Sequence, residues 1–355
     1  MHGSTSPGVS GASGRVAHLV DRHPSVSPER LIAQLRPPPT FADVSFASYR
    51  PDPAEPSQAA AVVACQDFCR QAVERRAGRR KLLGKRAVLP GVGLYLDGGF
   101  GVGKTHLLAS SYYQLPDARP KAFATFGELT QLAGVFGFVE CIDLLANYTA
   151  VCIDEFELDD PGNTTLISRM LSSLVERGVS VAATSNTLPE QLGEGRFAAQ
   201  DFLREINTLA RIFTAVRIEG PDYRHRDLPP APQPLSDDQV AARAAAVYGA
   251  TLDDFDALCA HLATMHPSRY LSLIEGVTAV FVTGVHGIDD QNVALRLVSL
   301  TDRLYDAGIP VVASGAKLDT IFSEEMLAGG YRKKYLRATS RLLALTAGVN
   351  APRGS

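Results

Sequence analysis

The sequence predicts an α/β protein in which a parallel sheet carries helices on both faces. Apolar strand-like segments alternate with helical segments over residues 93–218, and this alternation favours parallel strands joined by crossover helices. A glycine-rich turn follows the first of these strands, and polar residues stand at the ends of two others. Because ligands of such sheets bind at the carboxyl ends of the strands, these features predict one site at that edge. A second, smaller α/β region is expected toward the C-terminus.

The glycine-rich turn has the pattern of a phosphate-binding loop. Gly98, Gly103, Lys104 and Thr105 satisfy G-x-x-x-x-G-K-[ST], between a buried strand that begins at Gly93 and the start of a helix. Glycines let main-chain N–H groups turn inward, and those groups form an anion site with the helix N-terminus. The lysine can reach the β- and γ-phosphates of a nucleotide, and the threonine hydroxyl can bind Mg²⁺. The candidate nucleotide-binding residues are Gly98, Gly99, Phe100, Gly101, Val102, Gly103, Lys104 and Thr105.

Two carboxylates end an apolar segment about 50 residues after this loop. Residues 150–156 are predicted to form a buried strand ending in Asp154 and Glu155, which is the Walker B pattern. We expect Asp154 to hold Mg²⁺ together with Thr105, and Glu155 to act on an attacking water as a general base. A further strand at residues 178–186 ends in Asn186, which we expect at the same edge of the sheet.

Four regions are predicted along the chain. They are a mostly disordered N-terminal segment (1–40), a phosphate-loop domain (41–226), a proline-rich linker (227–235) and a C-terminal α/β region (236–348). The first 24 residues lack any apolar period, which is why disorder is expected there. Phe46 and Tyr49 are expected to anchor the segment before the first long helix onto the phosphate-loop domain.

The C-terminal region contains segments that look like a second copy of the Walker B neighbourhood. Residues 278–285 resemble 149–156, and residues 308–313 resemble 178–183. Thr283 and Gly284 stand where the first copy has its two carboxylates. The sequence leaves two interpretations open: a strand–helix–strand repeat without catalytic residues, or two ordinary parallel units that look alike by chance.

The overall charge gives no sign of a nucleic-acid partner. The chain has 35 Lys and Arg against 38 Asp and Glu, a net charge of −3. Residues 74–86 form the most basic run, interpreted as a solvated helix end, with a phosphate or nucleic-acid patch as the alternative. The five cysteines are expected to be reduced, and no apolar run approaches the roughly 20 residues of a membrane span. We therefore expect a cytoplasmic protein.

Several motifs together resemble the ZapE-type cell-division ATPases, AAA-class P-loop ATPases with mitochondrial relatives. These motifs lie within about residues 40–345 and are Gly93–Gly99 with Gly103–Thr105, Asp154–Phe156, Ala183–Asn186, Asp222–Arg224 and Thr339–Leu342. The resemblance implies an AAA-type fold, a cytoplasmic ATPase and the tubulin-like protein FtsZ of the division ring as partner.

The same resemblance implies roles for two further side chains. In AAA-class ATPases a strand-end residue at the position of Asn186 senses the γ-phosphate, and an arginine from a neighbouring subunit completes the site, so self-association is expected. The sequence offers Arg196, Arg204 and Arg211 for that arginine. Arg204 is favoured because it follows an apolar Phe-Leu pair, although the family's usual arginine before that pair is missing here.

These motifs predict Mg²⁺-dependent ATP hydrolysis coupled to a protein client such as FtsZ. The catalytic candidates are Lys104, Glu155, Asn186 and Arg204, with Thr105 and Asp154 as metal ligands. The absence of an Asn-Lys-x-Asp motif disfavours a GTPase. Three alternatives stay open: a DNA-associated loader ATPase, suggested by residues 74–86; a small-molecule kinase, disfavoured by Glu155; and a nucleotide-gated binding module that does not hydrolyse ATP.

Overall fold

The chain divides into two compact units, each with its own sheet. The computed structural model describes residues 16–25, 27–80, 86–87, 89–99, 101–156, 158, 161–188, 203–221 and 233–350. One unit spans residues 25–228 and is called here the phosphate-loop unit. The other joins residues 1–24 to residues 229–355 and is called the C-terminal unit. The proline-rich linker predicted at 227–235 falls largely outside the described residues and stays a prediction.

The phosphate-loop unit alternates strands and helices along most of its length. Its elements are α1 (Pro28–Ala33), α2 (Pro56–Ala77), β1 (Arg79–Arg80), β2 (Arg86–Ala87), β3 (Gly93–Gly98), α3 (Lys104–Gln114), β4 (Ala122–Thr125), α4 (Phe126–Phe136), α5 (Phe138–Leu145), β5 (Ala150–Asp154), α6 (Pro161–Glu176), β6 (Ser180–Ser185), α7 (Leu203–Ile212) and β7 (Phe213–Ile218). Helix α4 begins immediately after β4 because Thr125 and Glu128 form a capping box at its first turn.

Five parallel strands form the central sheet in the order β4-β5-β6-β3-β7. Alternate side chains of a strand point to opposite faces, so a doubly covered sheet needs apolar residues at every position. Tyr95, Ile153 and Val181 lie in one buried cluster, whereas Leu96 and Cys152 lie in another. The predicted parallel sheet with helices on both faces is confirmed.

The C-terminal unit contains a three-stranded parallel sheet in the order β10-β9-β8. Its elements are α8 (Asp237–Ala245), β8 (Ala250–Asp254), α9 (Phe255–Ala263), α10 (Tyr270–Leu273), β9 (Ala279–Val285), α11 (Gln291–Asp306), β10 (Val311–Gly315), α12 (Glu324–Ala328) and α13 (Arg332–Asn350). The expected C-terminal α/β region is therefore present. None of the described helices combines enough length and apolarity to cross a bilayer.

The strands of the C-terminal unit pair as the repeat hypothesis requires. Val151 lies opposite Val181 in the first copy, and their aligned counterparts Val280 and Val311 lie opposite each other in the second. The likeness extends one strand further than the sequence indicated. Strands β4-β5-β6 and β8-β9-β10 follow the same order in their sheets. Thr125 at the end of β4 and Asp254 at the end of β8 each cap a helix whose first residue is phenylalanine. The shared register supports a repeat over chance similarity.

The expectation of a mostly disordered segment over residues 1–40 is wrong for residues 16–24, and Pro28–Ala33 form helix α1. Leu19 is completely buried in the core of the C-terminal unit. Ala17 forms a parallel bridge with Thr251, and the N–H groups of Leu19 and Val20 donate to the Asp253 carboxylate at 3.0 and 3.1 Å. An isolated bridge at a sheet edge involves only a few residues, so it leaves no periodic pattern in the sequence. Residues 1–15 lie outside the described residues.

Removing the Leu19 side chain should destabilise the C-terminal unit. Leu19→Ala deletes a fully buried side chain, which costs about 2–5 kcal/mol of unfolding free energy in other cores. Leu203→Ala is the matched control, because Leu203 is 51% exposed. The measurement is chemical denaturation of both variants and the parent chain. Equal, small losses in the two variants would mean that residues 16–24 are not part of this core.

Candidate nucleotide site

The predicted site residues converge because three neighbouring strands end at the same edge of the sheet. Strand β6 pairs with β5 on one side and with β3 on the other, all in parallel. The phosphate loop follows β3, the two carboxylates end β5, and Asn186 follows β6. The convergence predicted from the strand ends is therefore present in the fold.

The phosphate loop needs glycine at two positions for different reasons. Gly103 precedes α3 with a φ of 87°, and a Cβ there would lie 2.5 Å from the Tyr49 ring. At Gly98 a Cβ would lie 2.2 Å from the Ile218 carbonyl oxygen of the adjacent strand. Both positions therefore exclude larger residues. Phe100, one of the predicted loop residues, lies outside the described residues.

Lys104 lies between the phosphate loop and the end of β6. Its Nζ donates to the carbonyl oxygens of Gly98 at 2.9 Å and Gly99 at 2.5 Å. It also donates to Asn186 Oδ1 at 2.9 Å. An ammonium at this point can interact with a phosphate bound by the loop amides, and it already contacts the Asn186 side chain.

Thr105 and Asp154 bring two oxygen ligands together. The Thr105 hydroxyl donates to Asp154 Oδ1 at 3.2 Å, and the aspartate is 8% exposed. Among the described residues, no group of three or more His, Cys, Asp and Glu side chains could hold a metal. A hydroxyl and one carboxylate still fit Mg²⁺, which in nucleotide sites takes one or two protein oxygens and completes its shell with phosphates and water. The pair predicted to hold the metal is thus a suitable ligand set.

Glu155 has a strained backbone conformation. Its φ is 54°, and it is the only non-glycine residue with a positive φ in the part of the chain that the structure describes. A left-handed conformation costs about 1–2 kcal/mol for a residue with a Cβ. The next residue, Phe156, is completely buried and packs edge-on against Phe126 with ring centroids 5.5 Å apart. Burial of Phe156 fixes the backbone on the C-terminal side of Glu155.

Sequence reasoning missed the role of Thr184 in this arrangement. Its hydroxyl accepts the Glu155 N–H at 3.1 Å and donates to Asp154 Oδ1. The only signal in the sequence was its place in the polar end of β6, two residues before Asn186.

A segment before α2 braces the phosphate loop from outside. Tyr49, predicted as an anchor, donates its hydroxyl to the Val102 carbonyl oxygen at 2.8 Å. His106 Nε2 lies 3.0 Å from Ser48 Oγ and 3.1 Å from the Ser45 carbonyl oxygen. The sequence identified the anchor but not its target, which lies 53 residues further along the chain.

The three candidate arginines differ in their placement. Helix α7 ends directly before β7, whose first residue Phe213 pairs with Gly93 at the amino end of β3. Arg211 therefore lies near the edge of the sheet opposite the phosphate loop. Arg204 is exposed in the first turn of α7, and the helix rise places it about 10 Å from Arg211 along the helix axis. Arg196 lies outside the described residues.

The basic run at residues 74–86 is only partly a helix end. Helix α2 ends at Ala77, and Gly78 then has a φ of 69°. Arg79 and Arg80 pair with Arg86 and Ala87 in the antiparallel ladder β1–β2. Residues 81–85 lie outside the described residues. Arg76 also contributes to packing, since it donates to the Ala146 and Arg177 carbonyl oxygens.

The chain is similar in sequence to two named proteins and in structure to a third. Cell division protein ZapE of Escherichia coli (strain K12) is 28% identical over 277 residues, which cover 66% of this chain and 74% of that protein. Lactation elevated protein 1 homolog B of Danio rerio is 24% identical over 302 residues, covering 68% and 59%. Domain III of the Thermotoga maritima replication initiation protein DnaA is similar in structure, with a TM-score of 0.37 and 20% identity, covering 52% of this chain and 69% of that one.

The family model that matches covers sequence from both units. The model of the AFG1-like ATPase family matches residues 25–238 and 229–353. Together with the ZapE likeness, this match confirms the family resemblance found in the motifs. The chain belongs to the AFG1-like ATPase family.

Proposed function

We propose that this ATPase hydrolyses ATP in a Mg²⁺-dependent reaction in which water attacks the γ-phosphate. The observation that carries the proposal is the convergence of Lys104, Asp154, Glu155 and Asn186 at one edge of the sheet. Lys104 and the loop amides neutralise charge that develops on the phosphate oxygens. Thr105 and Asp154 hold Mg²⁺, which supplies further charge neutralisation when bound.

Glu155 takes the proton of the attacking water. It directly follows the metal-binding aspartate, at the end of β5 where the site lies. A carboxylate at this point supports hydrolysis over transfer to a small-molecule acceptor, because a kinase has no need of a base for water. Asn186 reads the γ-phosphate through its amide, beside the lysine that it already contacts.

Substitutions of the lysine and the glutamate should separate binding from chemistry. Lys104→Ala should abolish ATP binding, whereas Glu155→Gln should retain binding and lower turnover by about 10²-fold or more. Glu176→Gln is a matched control, since Glu176 is exposed at the end of α6. Equilibrium binding of a fluorescent ATP analogue and phosphate release provide the two readouts. Turnover of Glu155→Gln at the parent rate would exclude Glu155 as the base.

We also propose that the protein client is FtsZ, the partner that the ZapE resemblance implies. Support comes from the 28% identity to a protein named for cell division. Glu155→Gln protein loaded with ATP should sediment with FtsZ polymers and alter their amount. Lys104→Ala, which should not bind ATP, is the control. If sedimentation is the same for both variants with and without ATP, the division role is lost and the ATPase assignment stands.

Self-association should let Arg204 complete the site of a neighbouring subunit. Its exposure in the first turn of α7 supports this role. Arg204→Ala should lose turnover, and adding Lys104→Ala protein should restore it, because the second variant supplies the missing arginine. Arg211→Ala should keep the parent rate. Parent-level turnover in Arg204→Ala, or co-assembly without restoration, would contradict the assignment.

A further inference from the structure

One buried hydroxyl at the end of β6 contacts both carboxylate residues of the site. Thr184 is 2% exposed and lies between β5 and β3 in the sheet. Its hydroxyl accepts the Glu155 N–H at 3.1 Å and donates to Asp154 Oδ1. Its carbonyl oxygen accepts the Phe156 N–H at 2.7 Å. Three consecutive residues of the Walker B segment are therefore bonded to one threonine.

From this geometry we propose that Thr184 is a positioning residue for hydrolysis, fixing Asp154 and Glu155 relative to each other. The inference rests on the proposed function. A hydroxyl has a single hydrogen to donate, and here it goes to the aspartate. The oxygen lone pairs are then left to accept the glutamate N–H. The hydrogen bond to Asp154 therefore orients the Thr184 hydroxyl so that its oxygen can accept the Glu155 N–H.

The bond to Glu155 acts where the backbone is strained. A φ of 54° is sparsely populated by residues with a Cβ, so it persists only when the surroundings impose it. The Thr184 hydroxyl and the buried Phe156 ring lie on the two sides of this residue. Without the hydroxyl the Glu155 N–H loses its partner in β6, and the backbone can relax away from the conformation that aims the carboxylate.

The C-terminal unit provides an internal comparison. Ser314 of β10 occupies the position equivalent to Thr184, and its hydroxyl accepts the Gly284 N–H at 3.1 Å. Gly284 has a φ of 69°, close to that of Glu155. The left-handed residue and its hydroxyl partner are thus common to both copies. Glycine adopts this conformation without strain, so only the phosphate-loop unit keeps a strained carboxylate there.

The two copies differ in what the hydroxyl orients. Ser314 donates to Asp237, which lies in the first turn of α8, whereas Thr184 donates to the aspartate that ends β5. Thr105 donates to the same oxygen of that aspartate at 3.2 Å. Thr184 therefore links the metal-binding pair to the base, and this connection has no counterpart in the bonds of Ser314.

The test uses variants that differ in a single hydroxyl. Thr184→Val keeps the side-chain shape and removes the hydroxyl, and Thr184→Ser keeps the hydroxyl. Thr184→Val should lower kcat by about 10- to 100-fold, the usual effect of losing a residue that orients metal ligands. It should also raise the Mg²⁺ concentration that gives half-maximal turnover, and Thr184→Ser should restore both values toward those of the parent. Ser314→Ala, which removes the equivalent hydroxyl of the C-terminal unit, should change neither.

The outcomes separate this inference from the proposed function. If Thr184→Val matches the parent in kcat and Mg²⁺ dependence while Glu155→Gln is inactive, the inference is wrong and the function stands. If Glu155→Gln retains the parent rate, Glu155 is not the base and the inference falls with it; if the parent chain releases no phosphate from ATP and Mg²⁺, the proposed function itself fails. Thermal melting checks folding, and Thr184→Ala replaces the valine variant if that variant does not fold. Equal impairment of Thr184→Ala and Thr184→Ser would also overturn the inference, because the hydroxyl would then be irrelevant.

Discussion

The site depends on the parallel register of three adjacent strands. Hydrogen bonding places Ile153 opposite Ala183 and Leu96 opposite Thr184, so the carboxyl ends of β3, β5 and β6 lie close together at one edge of the sheet. A slip of one residue would turn every side chain to the other face of the sheet and separate the lysine, the carboxylates and the asparagine. Packing of the apolar residues on both faces of the sheet stabilises this register. The positions of the site residues therefore depend on core residues that do not contact the nucleotide site.

Comparison of the two strand–helix–strand copies separates features that both share from features found only beside the phosphate loop. The left-handed residue after the middle strand and its hydroxyl partner occur in both. Gly284 meets the conformational requirement without strain, whereas Glu155 meets it at a cost of about 1–2 kcal/mol. Residues that break a local rule are expected where function requires them. The strain at Glu155 is therefore an independent observation in support of the catalytic role proposed for it.

Local patterns in the sequence predicted much of the fold and the site. Contacts between residues far apart in the chain could not be predicted from such patterns. The strands, the phosphate loop and the two carboxylates are each encoded in a few consecutive residues, so they could be read directly. The contact of Leu19 with Asp253 spans 234 residues, and that of Tyr49 with Val102 spans 53. Thr184 is bonded to a strand 29–30 residues away. A single sequence carries no pattern for such pairs, which is why the N-terminal bridge to Thr251 and the role of Thr184 were missed.

Water activated at the end of β5 is proposed to attack the γ-phosphorus of ATP. The most direct test is a turnover of the full chain with ATP and Mg²⁺ in water enriched in oxygen-18, followed by mass spectrometry of the products. Attack at the γ-phosphorus places the heavy oxygen in inorganic phosphate and none in ADP. Label in ADP, or no phosphate formed under conditions where ATP binds, would contradict this account.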